Sequence, residues 1–267
     1  MMSARRRSCG YLPLVGLALL VPRLSWSQAI DQHVAPTTPQ HAMPAMSYAE
    51  MARLMQMDDR GTRGMVSLQE LEWRDASGGA AAVWQGEGWY GGDYDKLWIR
   101  TQGEQGPGID TARFEAFWDR IATRWWNVQA GAREDFTGGP ARTWAALGLE
   151  GLAPDWFNVQ ATVYVGNAGR TAARLWATRD LLLTQRLILE PELQANLYGK
   201  SDPARHLGAG LSDLEAGLRI RYEFRRELAP YVGVVWQRLF GGTADQASLR
   251  GDRVTETQFT AGLRVWF

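Results

Sequence analysis

The stretch "DLEAGLRIRYEFR" (213–225) alternates between two kinds of side chain. Apolar residues from Leu214 to Phe224 occupy the even positions, and charged residues occupy every odd position except Gly217. A period of two places these two sets on opposite faces of a β-strand. The stretch therefore predicts a strand with one apolar face and one charged face.

Further segments show the same alternation, near 65–74, 80–90, 95–104, 111–120, 124–135, 143–151, 156–165, 171–181, 187–197, 228–240 and 255–267. A soluble two-sheet sandwich also alternates. Segments of roughly ten residues or more fit tilted strands that cross a bilayer, whereas strands of soluble proteins average about five or six. We therefore predict an all-β fold, a transmembrane antiparallel up-and-down β-barrel of about 12 strands.

The connections between these segments support the membrane interpretation. Four are short, "GGDY" (91–94), "RIAT" (120–123), "APD" (153–155) and "RELAP" (226–230). Four others are expected to be long loops, "TQGEQGPGIDT" (101–111), "REDFTGGPART" (133–143), "YGKSDPARHLGAGLSD" (198–213) and "FGGTADQASLRGDRV" (240–254). Outer-membrane barrels have short periplasmic turns and longer extracellular loops, so both chain ends are expected in the periplasm.

Lipid around the barrel specifies the strand register. A slip of one residue in 213–225 would turn its charges toward lipid, at a cost on the order of 10 kcal/mol. Pro191 lies within a predicted strand, where we expect a bulge or a lost hydrogen bond. Phe267 ends the alternating segment 255–267, which resembles the C-terminal signal that outer-membrane assembly machinery reads.

The first 27 residues have the composition of a signal peptide. Arg5, Arg6 and Arg7 precede an apolar run, and small residues follow it at Ser25 and Ser27. The alternative, a membrane anchor, needs a longer apolar run. Cys9, the only cysteine, lies inside this segment, which excludes disulfides and cysteine-bound metal from the mature chain.

The rest of the chain divides at about residue 60 into a Met/His-bearing periplasmic extension (28–60) and the barrel (61–267). Ser47 and Glu50 have capping-box spacing, which predicts a short helix in the extension. Loss of four arginines with the signal peptide leaves 25 basic residues against 29 acidic ones, so nucleic acid is not an expected partner.

Several stretches go beyond the general barrel pattern. These are "GEGWYGGDYDKLWIRTQGE" (86–104), "RTWAALGLEGLAPDWFNVQATVYVG" (142–166), "ARLWATRDLLLTQRLILEPELQANL" (173–197) and "GLSDLEAGLRIRYEFRRELAPYVGVVWQRLFGGTAD" (210–245). They resemble the copper resistance protein B family of the Gram-negative outer membrane, over essentially residues 60–267. The resemblance implies an outer-membrane barrel with a Met/His-bearing extension, copper binding and copper tolerance. This extension has fewer Met and His motifs than family members often carry.

The resemblance directs attention to the sulfur and imidazole donors of the extension. Copper(I) prefers such ligands, with copper(II) as the alternative. The candidate metal ligands are His33, His41, Met43, Met46, Met51, Met55 and Met57. His41 could chelate one ion with Met43 and Met46. Met51 and Met55 are one helical turn apart, but methionines at that spacing also commonly pack against protein.

Charged residues on the inward faces of the predicted strands form a second group. They are Glu87, Lys96, Arg100, Glu104, Arg113, Glu115, Asp119, Arg133, Asp135, Glu190, Glu192, Asp213, Glu215, Arg219, Arg221, Glu223 and Arg225. One interpretation is a salt-bridged polar core that fills a small barrel. The other is a constricted path for cations, although the mixture of signs favours conduction less than one sign would.

The sequence thus predicts a non-enzymatic copper protein that sequesters copper or passes it across the outer membrane. Two alternatives remain open, an outer-membrane hydrolase and a passive pore or structural barrel. A hydrolase would need a serine–histidine pair, and His206 is the only histidine of the barrel region. Expected partners are the lipid bilayer, the outer-membrane assembly machinery and periplasmic copper-handling proteins.

Overall fold

The computed structural model describes residues 47–55, 61–76, 79–106, 109–137 and 141–267. Two helices are present in this part, α1 (Tyr48–Leu54) and α2 (Gly241–Arg250). The strands are β1 (Arg63–Ala76), β2 (Gly79–Gly91), β3 (Asp95–Gly106), β4 (Ile109–Ile121), β5 (Trp126–Thr137), β6 (Arg142–Ala153), β7 (Phe157–Gly166), β8 (Thr171–Thr178), β9 (Leu181–Leu182), β10 (Leu187–Tyr198), β11 (Gly210–Tyr222), β12 (Leu228–Leu239) and β13 (Thr255–Trp266). All of the strands lie within one compact unit, Glu50–Phe267.

The sheet closes on itself. Consecutive strands pair antiparallel, except that β8 pairs with β10 and not with β9, and β13 pairs with β1 from Ser67 opposite Trp266 to Asp75 opposite Phe259. The main-chain N–H of Phe267 donates to the carbonyl of Val66 at 2.8 Å. The strands β8 and β9 both pair with β10 and together take the place of one strand in the barrel wall. The 13 strand segments therefore form a 12-stranded barrel. The predicted barrel and all of its predicted segments are confirmed.

The break between β8 and β9 lies opposite Pro191. The main-chain N–H of Arg179 donates to the Pro191 carbonyl at 3.2 Å, but proline has no N–H with which to return the bond. Toward β11, Pro191 pairs with Leu218 in an unbroken register, since an N–H is not needed on that side. The expected loss of a hydrogen bond is therefore confirmed, without a bulge at Pro191.

Two of the predicted long loops are tight connections instead. The strands β3 and β4 continue through most of 101–111 and are joined by residues 107–108. Likewise β5 and β6 extend into 133–143, leaving 138–141 as their connection. Backbone pairing reaches Gly106 opposite Ile109 and Asp135 opposite Arg142, so the sequence-based loop boundaries were wrong there.

The two ends of the barrel differ. One end, the loop end, carries the long connections 199–209 and 240–254, the second of which contains α2. The opposite end, the turn end, carries both Arg63 and Trp266 together with the turns 92–94, 122–125, 154–156, 183–186 and 223–227. The predicted asymmetry between short turns and long loops is confirmed for these segments.

The side chains point as the alternation predicts. In β11, Ile220 is 43 % exposed while Arg219 and Arg221 are buried. In β13, Phe259 is 69 % exposed while Gln258 is buried. An apolar exterior around a polar interior is the arrangement of a membrane barrel.

One predicted lumen charge is placed differently. Arg225 is exposed in the turn that follows β11, because this strand ends at Tyr222. Neither helix of the described residues is long and apolar enough to cross a membrane.

Candidate functional site

The first candidate site is the Met-bearing helix α1. As the capping-box spacing predicts, a helix begins at Tyr48, directly after Ser47, with Glu50 in its first turn. The Met55 main-chain N–H donates to the Met51 carbonyl at 2.9 Å, so the two methionines are one turn apart. His33, His41, Met43, Met46 and Met57 lie outside the described residues.

Met51 and Met55 are available for ligation. Their exposed fractions are 41 % and 63 %, so neither is buried as a packing residue would be. Two thioethers on one face suit a soft ion such as copper(I), but they supply only part of a coordination shell. Within the described ranges no group of three or more His, Cys, Asp or Glu side chains is arranged to hold a metal ion. Copper ligation by these residues stays a prediction.

His206 lies in the long connection at the loop end. It ends a 3₁₀ turn, Pro203–Arg205, in the left-handed conformation, and its main-chain N–H donates to the Pro203 carbonyl at 3.2 Å. Its side chain is exposed. The nearby Ser201 hydroxyl accepts a hydrogen bond from the Ala209 N–H at 3.2 Å. His206 is thus an exposed residue of a surface connection.

The lumen is the second candidate site, and an acidic network fills one side of it. This network consists of Glu70, Glu72, Arg74, Glu192, Glu215 and Arg219. The Arg219 guanidinium lies 2.9 Å from Glu70 and 3.1 Å from both Glu72 and Glu192. Arg74 lies 2.5 Å from Glu72 and 2.9 Å from Glu215. Four carboxylates therefore share two guanidinium groups.

An arginine network occupies the opposite side and consists of Arg113, Glu115, Arg133, Asp135, Arg174 and Arg205. Asp135 accepts hydrogen bonds from Arg133 at 2.7 and 2.9 Å and from Arg205 at 3.2 Å. The Trp144 indole donates to the same carboxylate at 3.0 Å. Here guanidinium groups outnumber carboxylates, so the two sides of the lumen differ in sign.

Further hydrogen bonds between side chains inside the lumen narrow the middle of the barrel. The Gln194 carbonyl oxygen accepts from Gln102 at 3.5 Å and from Arg174 at 2.8 Å, and the Tyr164 hydroxyl donates to Glu115 at 2.6 Å. A cavity of about 10 Å³, here called the neck, lies among these side chains and is lined by residues that include Gln85, Arg100 and Arg113. A cavity of that volume holds about one water molecule and is too small for a hydrated metal ion.

A larger cavity opens toward the turn end. Its volume is about 370 Å³, and its lining includes Glu87, Trp98, Trp125, Glu150 and Trp176. Most carboxylates of this region are paired with arginines, as Glu150 is with Arg100. The described lumen is therefore a salt-bridged polar core with one wider end, the first of the two sequence-based interpretations.

The sequence reasoning missed Glu70, Glu72 and Arg74 on β1. A register shift between Leu68 and Glu70 marks a β-bulge, and it moves the inward face from odd to even positions. The signal that could have found them is local, since exposed Leu71 and Trp73 alternate with these three buried charges.

Comparisons with known proteins agree with this fold and extend it. Residues 62–267 match the family model described as copper resistance protein B precursor. The chain is 43 % identical over 240 residues to a copper resistance protein B homolog of Pseudomonas syringae pv. tomato, which covers 87 % of the chain and 82 % of that protein. It is 42 % identical over 210 residues to copper resistance protein B of Escherichia coli, covering 78 % and 71 %.

The chain belongs to the copper resistance protein B family. A solved structure of the NanC porin has a TM-score of 0.52 at 12 % identity, covering 75 % of this chain and 98 % of that one, which supports the barrel fold alone. As a copper resistance protein B family member with a barrel of this kind, the chain is an outer-membrane protein. The family match begins at residue 62, so Met51 and Met55 precede it.

Proposed function

We propose that this copper resistance protein B family member binds copper through thioether and imidazole side chains of residues 28–60 and so contributes to copper resistance. The observation that carries the proposal is the exposure of Met51 and Met55 one turn apart on α1. Exposed thioethers in an exported chain that has no cysteine after residue 27 suit copper(I), which is a softer ion than copper(II). In this proposal copper is the cargo, and the barrel anchors the ligands to the outer membrane.

The proposal places the turn end and the extension in the periplasm. Short turns on the periplasmic side and longer loops outside are the usual arrangement of such barrels, which supports this orientation. The role is non-enzymatic, because binding and retention of an ion need no reacting group. The narrow neck favours retention of copper over its passage through the barrel. The bilayer, the assembly machinery and periplasmic copper-handling proteins are its partners in this proposal.

Copper(I) titration of the purified full chain tests the proposal. The variant M43L/M46L/M51L/M55L removes four thioethers with little change in apolar volume, and M65L on β1 is the matched control outside the extension. We expect the quadruple variant to lose at least tenfold in copper(I) affinity in competition with a chromogenic copper(I) chelator, with M65L unchanged. Equal affinity in all three proteins would contradict ligation by the thioethers.

Growth on copper connects this binding to resistance. A deletion strain that carries the quadruple variant should tolerate less copper than one that carries M65L. The comparison requires that the two strains contain equal amounts of folded barrel in the outer membrane. Unchanged tolerance in the presence of weakened binding would show that the thioethers do not contribute to resistance.

A further inference from the structure

The connection 199–209, here called the latch, is tied to distant parts of the barrel rim. The Asp202 carboxylate accepts a hydrogen bond from Arg142 of β6 at 3.1 Å and lies 3.5 Å from the Arg170 guanidinium. At its other end, the Gly208 N–H donates to the Thr243 hydroxyl of α2 at 2.8 Å. Because the latch joins β10 to β11, its contacts with Arg142 of β6 and, through Arg205, with Asp135 of β5 show that it reaches over the loop end toward distant strands.

The charge of Asp202 is part of this attachment. Burial raises the pKa of Asp202, but the hydrogen bond from Arg142 and the charges of Arg142, Arg170 and Arg205 outweigh burial and hold the pKa below its usual value. The carboxylate therefore stays ionised and paired at neutral pH.

Arg205 of the latch enters the lumen. Its side chain is buried, and its guanidinium donates to the Asp135 carboxylate at 3.2 Å and to the Asp135 main-chain carbonyl at 3.3 Å. Asp135 belongs to β5 and is also held by Arg133. A residue of a surface connection is thus fixed inside the arginine network of the barrel wall, which an ordinary solvated loop would not require.

An aromatic layer lies within the lumen on the same side. Phe117, Trp144 and Tyr164 are buried in one cluster with Ala146, and the Arg133 guanidinium lies 4.5 Å from the centre of the Tyr164 ring. The Trp144 indole and the Arg205 guanidinium donate to the same Asp135 carboxylate, so this layer borders the point where the latch is attached.

We propose that the latch is a closing element, that Arg205 on Asp135 holds it shut, and that the lumen behind it is reached from the loop end only when this contact opens. Access to the lumen is then controlled by the latch and not by the copper ligands of the extension. The inference does not depend on where copper binds.

Thiol accessibility tests the proposal in the full chain. With Cys9→Ser as background, Ala146→Cys places a single thiol in the buried aromatic layer, and Ala209→Cys places one at the exposed end of the latch. We expect a bulky, charged maleimide to label Cys at 146 at least tenfold more slowly than Cys at 209. Adding Arg205→Ala should raise the rate at 146 at least tenfold and leave the rate at 209 unchanged.

One further variant keeps the test decisive. Asp202→Asn weakens the other attachment without touching Asp135 and should also raise labelling at 146, even if Arg205→Ala fails to fold. Folding is checked by the shift in mobility of unheated samples on denaturing gels. Labelling at 146 that is fast in the unmodified latch, or that neither Arg205→Ala nor Asp202→Asn accelerates, would overturn the proposal. Copper(I) titration of Arg205→Ala and Asp202→Asn in the Cys9→Ser background, without the introduced cysteines, should be unchanged, which separates this outcome from a failure of the proposed copper binding.

Discussion

Replacing Arg219 with methionine removes the cation at the centre of the acidic network. Its guanidinium contacts three carboxylates, those of Glu70, Glu72 and Glu192, within 3.1 Å, and its side chain is 3 % exposed. Glu70 and Glu72 keep Arg74 as a partner, at 3.5 and 2.5 Å. Glu192 has its ion pair, among the described residues, with Arg219 alone.

The expected loss of stability in Arg219→Met comes mainly from Glu192, which would lose its ion-pair partner. Removing one partner of a buried ion pair leaves an uncompensated charge and costs about 3–5 kcal/mol. We therefore expect Arg219→Met to lower the free energy of unfolding by about that amount, a large share of the roughly 5–15 kcal/mol of a folded domain. Arg264→Met is the control, because Arg264 is 29 % exposed in its side chain and its partner Glu190 keeps Arg221. The control should lose about 1 kcal/mol or less.

Urea unfolding of the barrel in phospholipid vesicles, followed by tryptophan fluorescence, measures both losses. Adding Glu192→Gln to Arg219→Met removes the stranded charge, so the double variant should recover part of the lost free energy. The reasoning is refuted if Arg219→Met loses no more than Arg264→Met, or if Glu192→Gln brings no recovery.

Three further changes test other parts of the structure. Leu147→Arg puts a charge at a lipid-facing position, 61 % exposed in β6, and should cost about 2–4 kcal/mol of unfolding free energy in vesicles. Gly131→Ala should destabilise the β4–β5 pair in the same assay, because an added Cβ would lie 2.0 Å from the Ala116 carbonyl oxygen. Since the pKa of Asp202 is lowered, its contribution to latch stability should be complete above pH 3.8 and lost as the pH falls through the lower folded value. An NMR titration should place that midpoint below 3.8, and Arg142→Gln should raise it.

The barrel could be predicted because lipid imposes a strict alternation on its strands. In β11 the register with β10 is unbroken between Leu214 and Tyr222, and from Gly217 to Tyr222 buried and exposed residues alternate as the pattern predicts. In β1 the bulge near Gln69 moves the inward-facing side chains from odd to even positions. A prediction that assumes every second residue faces inward along the whole strand therefore misses Glu72 and its neighbours. The alternation predicts the faces of a strand well until the backbone inserts one extra residue.

The latch could not be predicted from its sequence. The stretch "SDPARH" (201–206) has the composition of a solvated loop, and nothing nearby marks Arg205 as buried. Its partner Asp135 is 70 residues away in the chain. A contact of that separation exists only once the sheet has closed. The helix that carries Met51 and Met55 depends on local capping, and it was accessible to sequence reasoning for that reason.

The polar lumen also bears on where copper can act. A membrane barrel of this size has no apolar interior of the usual kind, so ion pairs and hydrogen bonds between opposite walls hold its strands together from within. Those contacts, such as Arg219 on Glu72 and Tyr164 on Glu115, occupy the space through which an ion would travel. Their carboxylates are engaged by guanidinium or hydroxyl groups and would have to give up these partners to bind a metal. Binding to the exposed thioethers of Met51 and Met55 would not break such contacts, which supports the proposal that copper binds in the extension.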